Sequence, residues 1–136
     1  MTFRIESNYR QTQLRLKTVN PLAAKQLRMT EKALAEPIAA AARARASWSK
    51  SIPPAIKATA TGTFAGIRVS AKRSRLAVIE ERAKGSFRHP LFGNREHWYS
   101  QTARPSVKPV VHAARPAAEA AMRVAVREAA REAGFR

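Results

Sequence analysis

Residues 87–98, Phe87-Arg88-His89-Pro90-Leu91-Phe92-Gly93-Asn94-Arg95-Glu96-His97-Trp98, concentrate the large rings of this chain. They hold two of the five Phe, one of the two Trp and two of the three His, whereas the flanking sequence is rich in Ala and Arg. Phe92-Gly93-Asn94 is typical of a tight turn, because Gly and Asn adopt positive φ at low cost. Pro90 removes a backbone donor and favours an extended conformation at His89. The stretch therefore predicts an extended arm, at about residues 85–105, that turns and leads towards a helix.

A long helix is predicted before the arm. Asn20-Pro21 is a typical helix start, since Asn is a favoured N-cap and Pro is favoured at the first helical position. The helix is expected to run to about Ser47 and to be kinked at Pro37. The apolar residues of one face recur at helical spacing: Leu27, Leu34, Ile38 and Ala41. Residues 3–19 are ambiguous and predict a short strand or a short helix.

A β-hairpin is predicted between the long helix and the arm. Residues 58–69 are rich in Thr and alternate in part, and residues 76–80 form a compact apolar run, with the basic residues 70–75 as the turn between them. Gly62 and Gly66 lack the spacing and the following helix of a phosphate-binding loop. We interpret them as strand or bulge residues.

A C-terminal helix is predicted from about Ser106 or Lys108 to Ala133, with Gly134 as its stop. The fold class is therefore α+β: a small antiparallel β-sheet, as a hairpin or meander, flanked by a long N-terminal helix and a C-terminal helix. We expect residues 1–136 to form a single domain. The last helix carries a row of like charges four residues apart: Arg123, Arg127 and Arg131. Such a row suits an acidic partner or DNA, and the alternative is a solvated face.

The net charge of +17, with a pI near 11.7, points to an acidic partner such as nucleic acid. A genome rich in G and C, which favours Arg and Ala codons, is the alternative explanation. Residues 1–68 carry 12 Lys and Arg and residues 69–136 carry 14, so the charge does not lie in a basic tail.

Catalytic and metal-binding patterns are missing from the sequence. All nine acidic residues are Glu and there is no Cys, which excludes Asp-based triads, thiolate nucleophiles and Cys–zinc sites. The imidazoles of His89, His97 and His112 lie in different local settings, without metal-ligand spacing. Adjacent Glu80 and Glu81 would point apart on a strand. We predict no enzymatic activity, no cofactor and no metal site. No apolar run approaches 18 residues, so no membrane partner is expected.

The arm resembles a family of small neck proteins from long-tailed bacteriophages and prophages, especially those of high-GC actinobacteria. The resemblance lies in residues 87–95, then Trp98 and Gln101, then Arg104-Pro105 and the helix start at Pro109-Val110. The order of long helix, Ser- and Pro-containing loop, strand pair, arm and closing helix also fits, over roughly residues 20–130. The chain departs from the family at residues 106–108, where members often have an aromatic residue or Leu after the Pro.

The resemblance implies a structural virion protein of the phage neck, a head–tail joining or tail-completion protein. It would form a homo-oligomeric ring, expected to contain six copies, that joins the capsid connector to the tail tube. Its partners would be itself, the neighbouring neck proteins, the tail tube protein and the phage DNA in the lumen, bound non-specifically. The location would be the virion neck, after assembly in the host cytoplasm.

Two sets of residues follow as candidates for contacts. The subunit or partner interface would be formed by the arm residues Phe87, His89, Pro90, Phe92 and Trp98. Contacts with the DNA channel or an acidic partner would be made by Arg73, Arg75, Arg123, Arg127 and Arg131. Two alternatives remain open: a tail terminator or adaptor ring of the same neck, and a small basic nucleic-acid-binding protein.

Overall fold

The computed structural model describes residues 1–91 and 94–135, and within them four helices and two antiparallel sheets form. In chain order the helices are α1 (Arg10–Val19), α2 (Pro21–Arg45), α3 (Arg75–Arg82) and α4 (Val107–Glu132). The strands are β1 (Thr2–Ile5), β2 (Ile56–Ala60), β3 (Ala65–Val69), β4 (Ser86–Leu91) and β5 (Asn94–Thr102), with a 3-10 turn at Pro53–Ala55 before β2. The α+β class, with a long N-terminal and a C-terminal helix, is confirmed.

The ends of the long helices are set by local sequence. The side chain of Asn20 accepts a hydrogen bond from the backbone N–H of Ala23 at 3.1 Å, and Pro21 takes the first helical position, as predicted. α4 ends two residues before Gly134, whose φ of +84° is the left-handed conformation that closes many helices. Both boundaries are therefore confirmed. The ambiguous N-terminal stretch contains both alternatives, the strand β1 followed by the helix α1.

The predicted β-hairpin is wrong in its second strand. The hairpin consists of β2 and β3, which pair antiparallel from Ile56–Val69 to Ala60–Ala65 and turn at residues 61–64. Residues 76–80 lie in the helix α3, because Ser74 N-caps it by accepting from the backbone N–H of Ala77 at 3.2 Å. Gly66 lies in β3 as predicted, whereas Gly62 lies in the turn with a φ of +88° and not in a strand.

β1 completes the sheet in the order β1-β3-β2, all antiparallel. Both long helices pack on one side of it: α2 against β2 and β3, and α4 against α2 and β1. The core between them is filled by Ile5, Ile56 and Ile67 from the sheet and by the small residues Ala39 and Ala42 of α2. A second cluster joins α1 to the two long helices: Leu16, Leu27 and Val126.

A buried polar network ties the turn of the hairpin to the helices. Glu31 of α2 is fully buried, and its carboxylate accepts from the side-chain amide of Gln13 at 2.9 Å and from the backbone N–H of Gly62 at 3.0 Å. Gln13 in turn accepts from the hydroxyl of Ser7 at 3.0 Å. This network joins the segment after β1, the helices α1 and α2, and the β2–β3 turn.

Candidate assembly arm

The predicted arm is the two-stranded sheet β4–β5, which we call the arm. Its strands pair antiparallel from Ser86–Thr102 to Pro90–Trp98, with an irregularity between Pro90 and Leu91. Their contacts with the other helices and strands are sparse, and residues 95–100 are all exposed. The arm therefore extends into solvent, held mainly by its own ladder.

One face of the arm carries a row of rings. Phe87 and His89 lie on the same side of β4, with ring centroids 6.0 Å apart, and His89 lies opposite Tyr99 of β5 at 6.3 Å. Tyr99 is 50% exposed. Such a row of aromatic side chains, half-buried at the base and exposed farther out, has the composition of a docking surface.

The other face of the arm carries Trp98. Its side chain is 48% exposed, the guanidinium of Arg88 lies 5.7 Å from its ring centroid, and its indole N–H donates to the carbonyl of Arg95 at 2.5 Å. Pro90 lies opposite it in the ladder. Phe92 lies outside the described residues, so its predicted role stays a prediction.

Glu81 fixes the base of the arm to the start of α4. Its carboxylate is buried and accepts from three consecutive backbone N–H groups: Ser106 at 2.8 Å, Val107 at 2.6 Å and Lys108 at 3.0 Å. A carboxylate at this position satisfies the free N–H groups of the first helical turn and complements the helix dipole.

Glu80 fixes the returning strand of the arm. It is also buried, and it accepts from the side-chain amide of Gln101 at 2.9 Å and from the backbone N–H of Arg104. Arg104 stacks over Trp48, which is 40% exposed. The expectation that Glu80 and Glu81 point apart on a strand is wrong: both lie on α3 and bind the same chain segment. They hold the base of the arm in place.

The structure places the candidate basic residues at two separate ends. Arg75 is the first residue of α3, and Arg73 precedes this helix and lines a cleft with Lys57 and Arg68 of the sheet. Arg127 and Arg131 line a groove of 640 Å³ at the end of α4, beside Arg15 of α1. The remaining residue of the row, Arg123, is half-buried one turn earlier.

These groups are far apart along α4. Arg75 begins α3, whose Glu81 binds the first turn of α4, whereas Arg127 and Arg131 lie near the last turn of α4. α4 has 26 residues and is therefore about 39 Å long. A single small ligand cannot contact both basic groups, so they belong to two surfaces.

Sequence reasoning missed Tyr99. Continuing the pairing of Leu91 with Asn94 would place Glu96 opposite His89, and only the register shift between Pro90 and Leu91 places Tyr99 there. Sequence reasoning also missed three cations that share one face of the β1-β3-β2 sheet, namely Arg4, Lys57 and Arg68. No local pattern identifies them, because they come from three separate strands.

No protein-family model, curated protein or solved structure matches this chain. None of the helices in the described part of the chain is long and apolar enough to cross a membrane. Across residues 1–91 and 94–135, no three His or Glu side chains lie together as potential metal ligands.

Proposed function

We propose that this chain is a structural protein of the neck of a long-tailed bacteriophage. Six copies form a ring that joins the capsid connector to the tail tube and surrounds the DNA channel. The observation that carries the proposal is the arm, on which Trp98 and Tyr99 are about half exposed although large rings are normally buried. A tail terminator or adaptor ring of the same neck would use the arm in the same way.

Two different surfaces are needed for head-to-tail contacts that close a ring. The arm is one, with Phe87, His89, Pro90, Phe92 and Trp98 as its contact residues. The groove at the end of α4 is suited to be the other, because it is open, lies at the opposite end of the molecule and is lined in part by aromatic side chains. The groove residues are Tyr9, Thr12, Arg15, Val126, Arg127, Ala130, Arg131, Gly134 and Phe135.

The first test measures the mass of the purified protein in solution, alone and with tail tubes. We expect a discrete ring-sized oligomer or binding at one end of the tubes. The double variant Phe92→Ala with Trp98→Ala should lose this assembly, because it removes two large contact side chains. The matched control is Leu22→Ala with Met29→Ala, which removes two side chains that are 67% and 65% exposed on α2. Normal joining of heads to tails by the arm variant would contradict the proposal.

A shortened arm provides the second test. Phe87 and Gln101 are partners in the ladder, so residues 88–100 can be replaced by an Asn-Gly turn that joins them. This variant keeps the hydrogen bond from Gln101 to Glu80, and we expect it to fold but to remain a monomer. A shortened chain that still forms rings would show that the arm is not the contact. A full-length monomer that ignores tails but shifts DNA would favour a nucleic-acid-binding function instead.

A further inference from the structure

The two faces of the β1-β3-β2 sheet differ in chemistry. Alternate residues of its strands point inward to the helices, among them the fully buried Ile5 and Ile67. The residues between them point to the other side, and of these Arg4, Lys57 and Arg68 are exposed. We call this side the basic sheet face. Its six strand positions are Thr2, Arg4, Lys57, Thr59, Gly66 and Arg68.

The basic sheet face has three cations, two hydroxyl side chains and a glycine, and none of its six positions is acidic or bears a large apolar side chain. Gly66 lies at its centre and is buried, because the methyl groups of Thr2 and Thr59 flank it: a Cβ there would lie only 3.2 Å and 3.3 Å from them. The cations Arg4, Lys57 and Arg68 are the exposed charged groups of this face.

Two of the cations oppose each other directly. Lys57 and Arg68 are partners in the β2–β3 ladder, where Cβ atoms lie about 4.5–5.5 Å apart and like charges are destabilising. Ion pairs elsewhere in the described residues, Arg43–Glu36 and Arg115–Glu119, do not involve this face. A bound polyanion would relieve the repulsion.

Arg73, which precedes α3, adds a further cation beside Lys57 and Arg68. Lys57, Arg68 and Arg73 line one cleft of 240 Å³, together with Ser70 and Ala55. At the other end of the face, Arg4 lies over the ring of Phe64, 4.5 Å from its centroid. The nearest acid along β1 is Glu6, which follows the strand and lines a separate cleft with Arg4.

We propose that the basic sheet face binds the phosphodiester backbone of double-stranded DNA without reading its sequence. Arg, Lys and Thr side chains are the groups that contact phosphates, and they make up five of the six positions. The core of a protein–protein interface is enriched in aromatic and apolar residues, which this face lacks. It also lacks a row of rings on which single-stranded bases would stack. The inference concerns the sheet of one chain and does not require a ring.

The test measures binding of the full chain to two short DNA duplexes of unrelated sequence, as a function of salt. Each phosphate contact contributes about −0.9 to the slope of log K against log salt. The variant Lys57→Gln, Arg68→Gln, Arg73→Gln should therefore lower the magnitude of the slope by about 2 to 3 and weaken binding at least about 10-fold at roughly 50 mM salt. The matched control is Arg82→Gln, Lys84→Gln, Lys108→Gln, which removes the same charge from exposed positions outside the sheet and should change the slope less.

The substituted residues on the face are exposed, so the variant should keep the fold, which circular dichroism checks. DNA should also raise the melting temperature of the wild-type protein more than that of the sheet-face variant, since binding relieves the Lys57–Arg68 repulsion. Equal losses in the two triple variants would overturn the proposal, because net charge alone would then explain binding. Poly-L-glutamate binding as tightly as DNA, with the same loss in the sheet-face variant, would also overturn it and assign the face to an acidic protein.

Discussion

The buried side chain of Glu31 makes the stability of the fold depend on pH. Burial raises the pKa of the Glu31 carboxyl above its ordinary value of 4.5, and the hydrogen bonds from Gly62 and Gln13 and the charges of Lys17 and Arg28 oppose the increase. A raised pKa means that the folded protein holds this proton more tightly than the unfolded chain. The contribution of Glu31 to stability is therefore greatest below pH 4.5 and is lost as the pH rises through the folded pKa.

Replacing Glu31 with Gln should remove this pH dependence. We expect the free energy of unfolding of the wild type, minus that of Glu31→Gln, to decrease as the pH is raised from 4.5 and then to level off. Urea denaturation at several pH values measures the difference. The control is Glu128→Gln, which makes the same chemical change at an exposed position on α4. A difference that grows with pH would mean that the hydrogen bonds outweigh the cost of burial.

No sequence signal identifies Glu31 as buried. Its position in α2 was predictable from the Asn20-Pro21 helix start, but eight other Glu occur in the chain and most are exposed. Its burial depends on Gln13 and Gly62, which are 18 and 31 residues away. Only the docking of α1 and the β2–β3 turn on α2 brings these partners together.

The helix α3 connects the arm to the body of the protein. It has only eight residues, and its burial is partly polar, since Glu80 and Glu81 lie inside. Their carboxylates fix the returning strand of the arm and the first turn of α4. The orientation of the arm relative to α4 therefore depends on two side chains.

Removal of the Glu81 charge should destabilise the junction between the arm and α4. In the wild type, both Glu81 oxygens accept hydrogen bonds from backbone N–H groups. In Glu81→Gln an NH₂ group replaces one of these oxygens, so at least one buried N–H donor loses its acceptor. We expect the free energy of unfolding to fall by about 1–3 kcal/mol, measured by chemical denaturation. The exposed control Glu128→Gln should change it by less than about 0.5 kcal/mol. Equal stability of the two variants would mean that the Glu81 contacts add nothing.

Residues 76–80 form a helix and not the predicted strand for a physical reason. Leu-Ala-Val-Ile is a short apolar run, and periodicity cannot separate a strand from one buried helical turn in so few residues. Ser74 was the available signal for a helix, since Ser is a favoured N-cap. The strand pairing that would have competed was already satisfied, because β3 lies between β1 and β2 and has no free edge.

Across the whole molecule, the two long helices approach each other and the sheet through small residues. Ala35, Ala39 and Ala42 of α2, and Ala46 directly after it, are all fully buried, whereas the neighbouring Ala40 is exposed. These small side chains let α2 pack closely against its neighbours, and a larger side chain at the same positions has no space. The use of small core residues agrees with the low aromatic content of the chain. Several of its aromatic side chains lie on the arm and not in the core.

Enlarging a buried alanine should therefore destabilise the whole fold. We expect Ala39→Leu to lower the free energy of unfolding by about 1–3 kcal/mol, because the added atoms force α2 away from its neighbours. Ala40→Leu makes the same chemical change one residue away on the exposed side, and should be nearly neutral. Thermal and urea unfolding of the pair would measure the difference. Similar effects of both substitutions would show that the packing around Ala39 is loose.

Local sequence is sufficient for the start of α2 at Asn20-Pro21 and the end of α4 at Gly134. Each of these depends on groups within a few residues of one another: a cap, a fixed φ or a tolerated positive φ. It also establishes the +17 charge and the aromatic composition of the arm. The tertiary structure decides which strands pair, which carboxylates are buried and how the cations are grouped. These features depend on contacts between residues tens of positions apart in the sequence. Such contacts form only when the helices and strands pack together.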